Sequence, residues 1–202
     1  MVEGFYYNLK ILGNRNLYIA LALPILAPLF FSFRMITSVE MARICELYLS
    51  FFGIALFGNI LDYESNGIGE VTYCKKFGQA KVFMTRFIIL SLIALIVVTS
   101  ILALGKLGGA TFDFGKFLYG TMVNITYLGI FAITLYNISE NLAITYMISF
   151  SYVLFEYCTK GKYTKGFYIL SMMKGDFTPK DNLFWLLICL ITLNILILIK
   201  KK

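Results

Sequence analysis

The chain has 202 residues, of which 59% are hydrophobic and 14% charged, with a formal net charge of +7. A mean hydropathy of +0.80 and a charged fraction far below the roughly 25% of soluble domains exclude a water-soluble globular fold, because no polar stretch is long enough to bury a core of its own. Histidine is absent, which removes H-E-x-x-H metalloprotease and Ser-His protease chemistry, since each needs imidazole as ligand or base.

At the N-terminus Val2, Phe5, Leu9 and Leu12 recur at spacings of 3, 4 and 3, opposite Lys10 and Asn14. That pattern predicts a helix lying in the membrane interface over residues 1–15; the alternative is a frayed tail. Both charge signs precede the first apolar run and no small-x-small site follows it, so the segment does not read as a cleaved signal peptide.

Six apolar runs near the roughly 20 residues of a bilayer crossing then follow. They are Asn16 to Phe33, Ile44 to Leu61, Phe87 to Leu104, Phe117 to Ile138, Leu142 to Tyr157 and Leu183 to Ile199. Lipid leaves backbone amides without partners, and the short alternating segments of a barrel are missing, so the spans are expected as helices. The expected fold class is all-α: a polytopic transmembrane helical bundle of six spans with an N-terminal interfacial helix, one transmembrane domain over residues 1–202. The fifth run carries Thr145, Ser149, Ser151 and Glu156, polar enough to be expected inside the bundle.

Glu46, early in the second run, is either a pathway or pairing group or a carboxylate that reaches the headgroups or pairs with Arg43. Asn59, Asn124, Asn137 and Asn194 read as glue between helices, and Gly53, Ala55 and Gly58 as sites of close helix approach. Phe51, Phe52, Tyr146 and Phe150, with Glu46 and Asn59, are the candidate lining of a conduit; in a chain with 17% aromatics, ordinary packing is the competing reading.

Between the second and third runs lies the polar segment 62–86. Asp62, Glu64 and Glu70 come first, Lys75, Lys76, Lys81 and Arg86 follow, and Val71, Cys74, Phe77 and Ala80 fall at helical spacing. Gly109 to Lys116 imitates a phosphate loop, but G-x-x-x-x-G-K-[ST] fails at Ala110 and Phe117. Gly67-Ile68-Gly69-Glu70 imitates an aspartyl-protease motif, but no aspartate lies within a span to pair with it. Near the far end, residues 159–182 hold the apolar patch Gly166 to Met173 between polar flanks. Thr178-Pro179-Lys180-Asp181 then reads as an N-cap, a proline at the first helical position and an acid at the third.

The four cysteines, 45, 74, 158 and 189, form no C-x-x-C pair and read as small apolar residues. With six spans, each side of the membrane collects nine Lys and Arg residues. The cluster at 75–86 and the terminal lysines sit tight against spans, which favours cytoplasmic termini. No basic face with aromatic platforms outside the spans points to nucleic acid.

The order of these features, an interfacial helix, a first span interrupted by Pro24 and Pro28, a second span, Glu64, Gly67 and Glu70, an amphipathic piece, and Lys81 leading into a third span, resembles the membrane permease subunits of ABC exporters of the second type. Phe77 and Gly78 stand where the family often has a proline and a hydroxyl residue. The resemblance implies that 62–86 is a cytoplasmic coupling loop. Glu64, Gly67, Glu70, Cys74, Phe77 and Lys81 would dock on a separate ABC ATPase subunit, present in two copies and holding the ATP and Mg that this chain does not bind. It also implies a second permease copy or paralogue, a conduit lined mainly by the first, second and fifth spans, and an extracellular re-entrant hairpin within 159–182. The expected location is a bacterial cell membrane, with the chain multi-pass and both termini cytoplasmic, and the expected cargo is amphipathic or apolar: a peptide antibiotic, a drug or a lipid. The chain would not itself be an enzyme. The alternatives are a non-transporting immunity or partner-binding membrane protein, and a self-sufficient channel or secondary transporter, which should carry intramembrane charges or inverted repeats.

Overall fold

The computed structural model describes Leu12, residues 15–61 and residues 79–200, and every regular element among them is helical. Helix α1 spans Arg15–Phe30 with Pro24 and Pro28 inside it. At 1.5 Å per residue its 16 residues reach about 24 Å, short of a hydrocarbon core of about 30 Å. The next rod is built in three contiguous pieces: α2 (Ser38–Arg43), a π turn (Ile44–Tyr48) and α3 (Leu49–Phe57), with right-handed helical geometry at both junctions. Helices α4 (Gln79–Leu107), α5 (Phe114–Ser139), α6 (Leu142–Thr159) and α7 (Thr178–Lys200) complete the bundle. These last four are long and apolar enough to cross a membrane.

Helix starts follow local chemistry. At α2, Thr37 Oγ1 accepts the Glu40 amide while the Glu40 carboxylate accepts the Thr37 amide at 2.9 Å, a reciprocal capping box. Asp113 accepts the amides of Gly115 and Lys116 to open α5, and Asn141 accepts those of Ala143 and Ile144 to open α6. At α7 the capping carboxylate is that of Asp176, which accepts the Thr178 amide at 3.0 Å and the Thr178 hydroxyl at 2.8 Å. The helix therefore begins at Thr178 itself, and the expected Thr178 cap is displaced by two residues.

α5 is the axis of the bundle. Buried positions make up 61% of its apolar window against 33% in α4 and 22% in α6 and α7, and it packs on α3, α4, α6 and α7. Its approach to α3 is close: a Cβ at Gly53 would lie 2.9 Å from the Ile125 carbonyl oxygen, and one at Gly129 would strike the Phe57 ring at 2.5 Å. Polar side chains add to this contact between rods, as expected where apolar faces alone give little net attraction in lipid. Asn137 donates to Asn194 Oδ1 at 2.7 Å, and Asn194 Nδ2 donates to Thr134 at 2.8 Å, joining α5 to α7.

Three connections gather at one end. The Met35 amide donates to the Gly108 carbonyl at 2.9 Å, and a Cβ at Gly108 would lie 1.7 Å from the Phe33 oxygen. Gly108, which directly precedes the segment that imitates a phosphate loop, thus serves a close backbone crossing. Phe117 packs at a tilt against Phe112 and against Phe177, with centroids 4.9 and 5.9 Å away, which brings 160–177 to the same place. In that connection the structure has two 3₁₀ turns, Lys165–Phe167 and Ser171–Lys174, where the resemblance implies a helical hairpin. Positive φ at Lys160, Gly161, Lys165 and Gly175 breaks any longer helical run. Its centre is enclosed, with Ile169 and Leu170 fully buried.

Candidate functional site

The polar centre of the molecule lies where the π turn meets the 160–177 connection. A π turn widens the helix by one residue and is often found at functional positions. Here it leaves the Glu46 carbonyl to accept from Ser50 Oγ and from Asn124 Nδ2 on α5. The Glu46 side chain turns the other way. Its carboxylate lies 2.6 Å from the Lys180 ammonium, both side chains having no exposure. It also accepts the Met172 amide at 2.8 Å and the Met173 amide at 2.9 Å. Lys180, in the first turn of α7, in addition donates to the Ile169 carbonyl. The two charges are thus neutralised and almost fully hydrogen-bonded, the condition under which an enclosed ion pair is tolerated.

A second enclosed acid stands nearby. Glu156, in the last turn of α6, accepts the Thr164 hydroxyl at 2.9 Å on Oε2, while its Oε1 has no hydrogen-bond partner among the described residues. Tyr127 and Tyr152, hydrogen-bonded to each other, and Tyr168 surround it. Burial first, and then the charges of Glu46 and Glu156, push the Tyr168 phenol up to about 12. It therefore remains a neutral group at ordinary pH. Lys174 lies 4.7 Å over the Tyr168 ring and donates to the Lys160 carbonyl at 2.7 Å. No cluster of three metal-type ligands occurs among the described residues.

The conduit candidates divide into two sets. Glu46 and Phe52 are wholly enclosed within this one chain, so in this conformation neither faces an open path. Glu46 pairs with Lys180, while Arg43 is exposed. Phe51, Tyr146 and Phe150 come together instead: Phe150 lies 5.5 Å from Phe51 and 6.0 Å from Tyr146, and all three are half-exposed along the α3 and α6 surface. A Cβ at Gly58 would meet the Tyr146 ring at 2.7 Å, so the ring edge packs against the helix at this glycine. Asn59 is buried, its Oδ1 has no hydrogen-bond partner among the described residues, and it lines a small cleft with Leu12, Leu17, Leu56 and Leu90.

Of the proposed coupling residues, Glu64, Gly67, Glu70, Cys74 and Phe77 lie outside the described residues, as does the 1–15 segment apart from the buried Leu12 and the helical Arg15. Lys81 is exposed in the first turn of α4. Arg86, one turn further, is buried and donates to the Ile60 carbonyl at 3.0 Å, at the end of the preceding rod. Lys180 was read in the sequence only as part of the capping segment and of the charge count, because the apolar run of the last span starts at Leu183. Once the helix is extended to Thr178, a lysine enclosed in an apolar rod signals a pairing requirement.

Comparison with protein-family models, curated proteins and solved structures finds no match to this chain. What the structure defines is a class: four long apolar helices and a shorter one make this a multi-pass helical membrane protein.

Proposed function

We propose that this chain is the six-span membrane subunit of an ATP-driven exporter of the second ABC type, working with a second permease copy or paralogue and with separate cytoplasmic ATPase subunits. The observation that carries the reading is the Arg86 to Ile60 hydrogen bond at 3.0 Å. It ties the third rod to the end of the second on the two flanks of residues 62–78. A push on that segment would reach both rods together, because a rigid pair transmits a displacement that a loose loop absorbs. Ser38–Phe57 and α1 supply the two further crossings, the first through a continuous 20-residue rod, the second with its ends completed by flanking residues.

Two features support the rest. Phe51, Tyr146 and Phe150 form a half-exposed aromatic strip on the second and fifth rods, a surface suited to a conduit between two permeases and to amphipathic or apolar cargo. Lys180 and Arg86, one from each set of nine basic residues, are both buried. The terminal lysines and Lys75, Lys76 and Lys81, close against spans, favour cytoplasmic termini, with 160–177 facing outward.

Affinity capture of the tagged chain from native membranes tests the reading. The expected result is copurification of an ATPase and vanadate-sensitive ATP hydrolysis that is lost on Glu64→Ala or Phe77→Asp. Complexes that contain no ATPase overturn it. The enclosed Glu46, Lys180 and Glu156 favour a second reading, a self-sufficient ion-coupled transporter. That reading expects cargo movement in liposomes holding this chain alone, driven by an ion gradient without ATP.

A further inference from the structure

We propose that the 160–177 connection is a latched lid over one end of the bundle, and that the Glu46 carboxylate is its latch. The inference does not depend on the exporter reading. The connection has little structure of its own: beyond two short 3₁₀ turns it holds only a few internal backbone hydrogen bonds, such as Gly175 to Met172 and Asp176 to Ser171. Yet residues 168–172 are buried as deeply as the helical core. What holds them down comes from elsewhere. The Met172 and Met173 amides find their acceptor in Glu46, and the Ile169 carbonyl finds its donor in Lys180. One ion pair between the second and last rods therefore satisfies both faces of the lid.

The flanks are shaped for movement about fixed ends. Lys160, Gly161 and Lys165 at one side and Gly175 at the other have positive φ, so the chain reverses abruptly at each side of the enclosed stretch. Helix α7 begins immediately afterwards, anchored by Asp176. The lid is seated on α5 by Met172, whose Sδ would lie 2.6 Å from a Cβ at Gly120. Such an arrangement has two discrete states, because the carboxylate either holds both amides in a dry site or gives them up to water together. Opening would uncover the π turn and the face of α5 beside it.

A native thiol reports that opening. Cys45, beside Glu46 on the π turn, is free and fully buried, in hydrogen-bond contact with Thr121, which follows the Gly120 that Met172 covers. In a chain carrying Cys74→Ser, Cys158→Ser and Cys189→Ser, a hydrophilic maleimide applied to permeabilised membranes should label Cys45 slowly. Adding Glu46→Gln should raise that rate at least ten-fold, and Lys180→Met should do the same. Combining Glu46→Gln with Gly120→Cys and Met172→Cys, oxidised to a cross-link, should return Cys45 to the slow rate. In parallel, hydrogen exchange of the intact protein should rise in the peptide covering 168–177 on Glu46→Gln and stay unchanged in α5. A labelling rate unmoved by Glu46→Gln overturns the latch. So does fast labelling that survives the cross-link, or exchange rising equally throughout α5, since either places the change in the bundle and not in the lid.

Discussion

Two polar nodes hold α7 against the rest of the bundle, and they are built on different principles. At one end Glu46 and Lys180 bring full charges together in a site without exposure. At the other, Asn137, Asn194 and Thr134 join the same helix to α5 through neutral hydrogen bonds of 2.7 and 2.8 Å. Along α5 the two nodes, at Asn124 and Asn137, are separated by about 20 Å at 1.5 Å per residue. The neutral clasp can lose a member at small cost, because amides and hydroxyls deprived of one partner find others. The charged node cannot, because an ion left alone in a dry site has no cheap alternative. The first suits a permanent joint. The second suits a joint with two states.

The largest effect is expected where that contrast is greatest. Lys180→Met leaves the Glu46 carboxylate without its counter-charge and should cost about 3–5 kcal/mol, read as a lowered midpoint of thermal unfolding in detergent. The double variant Glu46→Gln with Lys180→Met should be more stable than Lys180→Met alone. If it is less stable, the charges themselves are not what sets this node apart.

Packing comes next. Gly53→Val drives a side chain against the Ile125 backbone and should cost about 1–3 kcal/mol as an overpacked contact. A loss well above that of Lys180→Met in the same unfolding assay would rank close helix approach above the charged node. Asp113→Ala removes the carboxylate that accepts the Gly115 and Lys116 amides, with an expected cost of about 1 kcal/mol. It is the control for a polar contact in water. The smallest effect should be that of Asn194→Leu, about 0.6 kcal/mol, as for interhelical hydrogen bonds in membranes. A loss of several kcal/mol there would abolish the distinction between the nodes.

How far the sequence disclosed this arrangement depends on the residue. The Thr37 to Glu40 spacing is a capping box that can be read without coordinates. The fifth run was expected inside the bundle, yet only 22% of its apolar window is buried; one face, with Thr145, Ser149 and Glu156, is enclosed, and Ser151 on the same helix is exposed. Glu46 stood out as a costly group in an apolar run, expected either as a pathway or pairing group or as a carboxylate that reaches the headgroups or Arg43; it is enclosed in a pair, but not with Arg43. Arg43 is nearer in sequence but faces outward, and the partner is a lysine on the last helix. Sequence distance carries no information about which rods become neighbours across α5. Nor could the pattern anticipate the π turn, since one extra residue in a helix leaves the apolar run intact.

Composition and run length, acting through the rule that lipid leaves no backbone group unpaired, determined by themselves that this chain is helical, that it is built for a membrane and roughly where each rod lies. Tertiary structure decided which polar groups meet. It set Glu46 against Lys180, laid the Met172 and Met173 amides on the same carboxylate, and gathered Phe51, Tyr146 and Phe150 into one strip. The reason is physical: hydrophobicity is summed along the chain and can be read locally, whereas a charge in a dry interior is tolerable only beside the particular partners that folding brings to it.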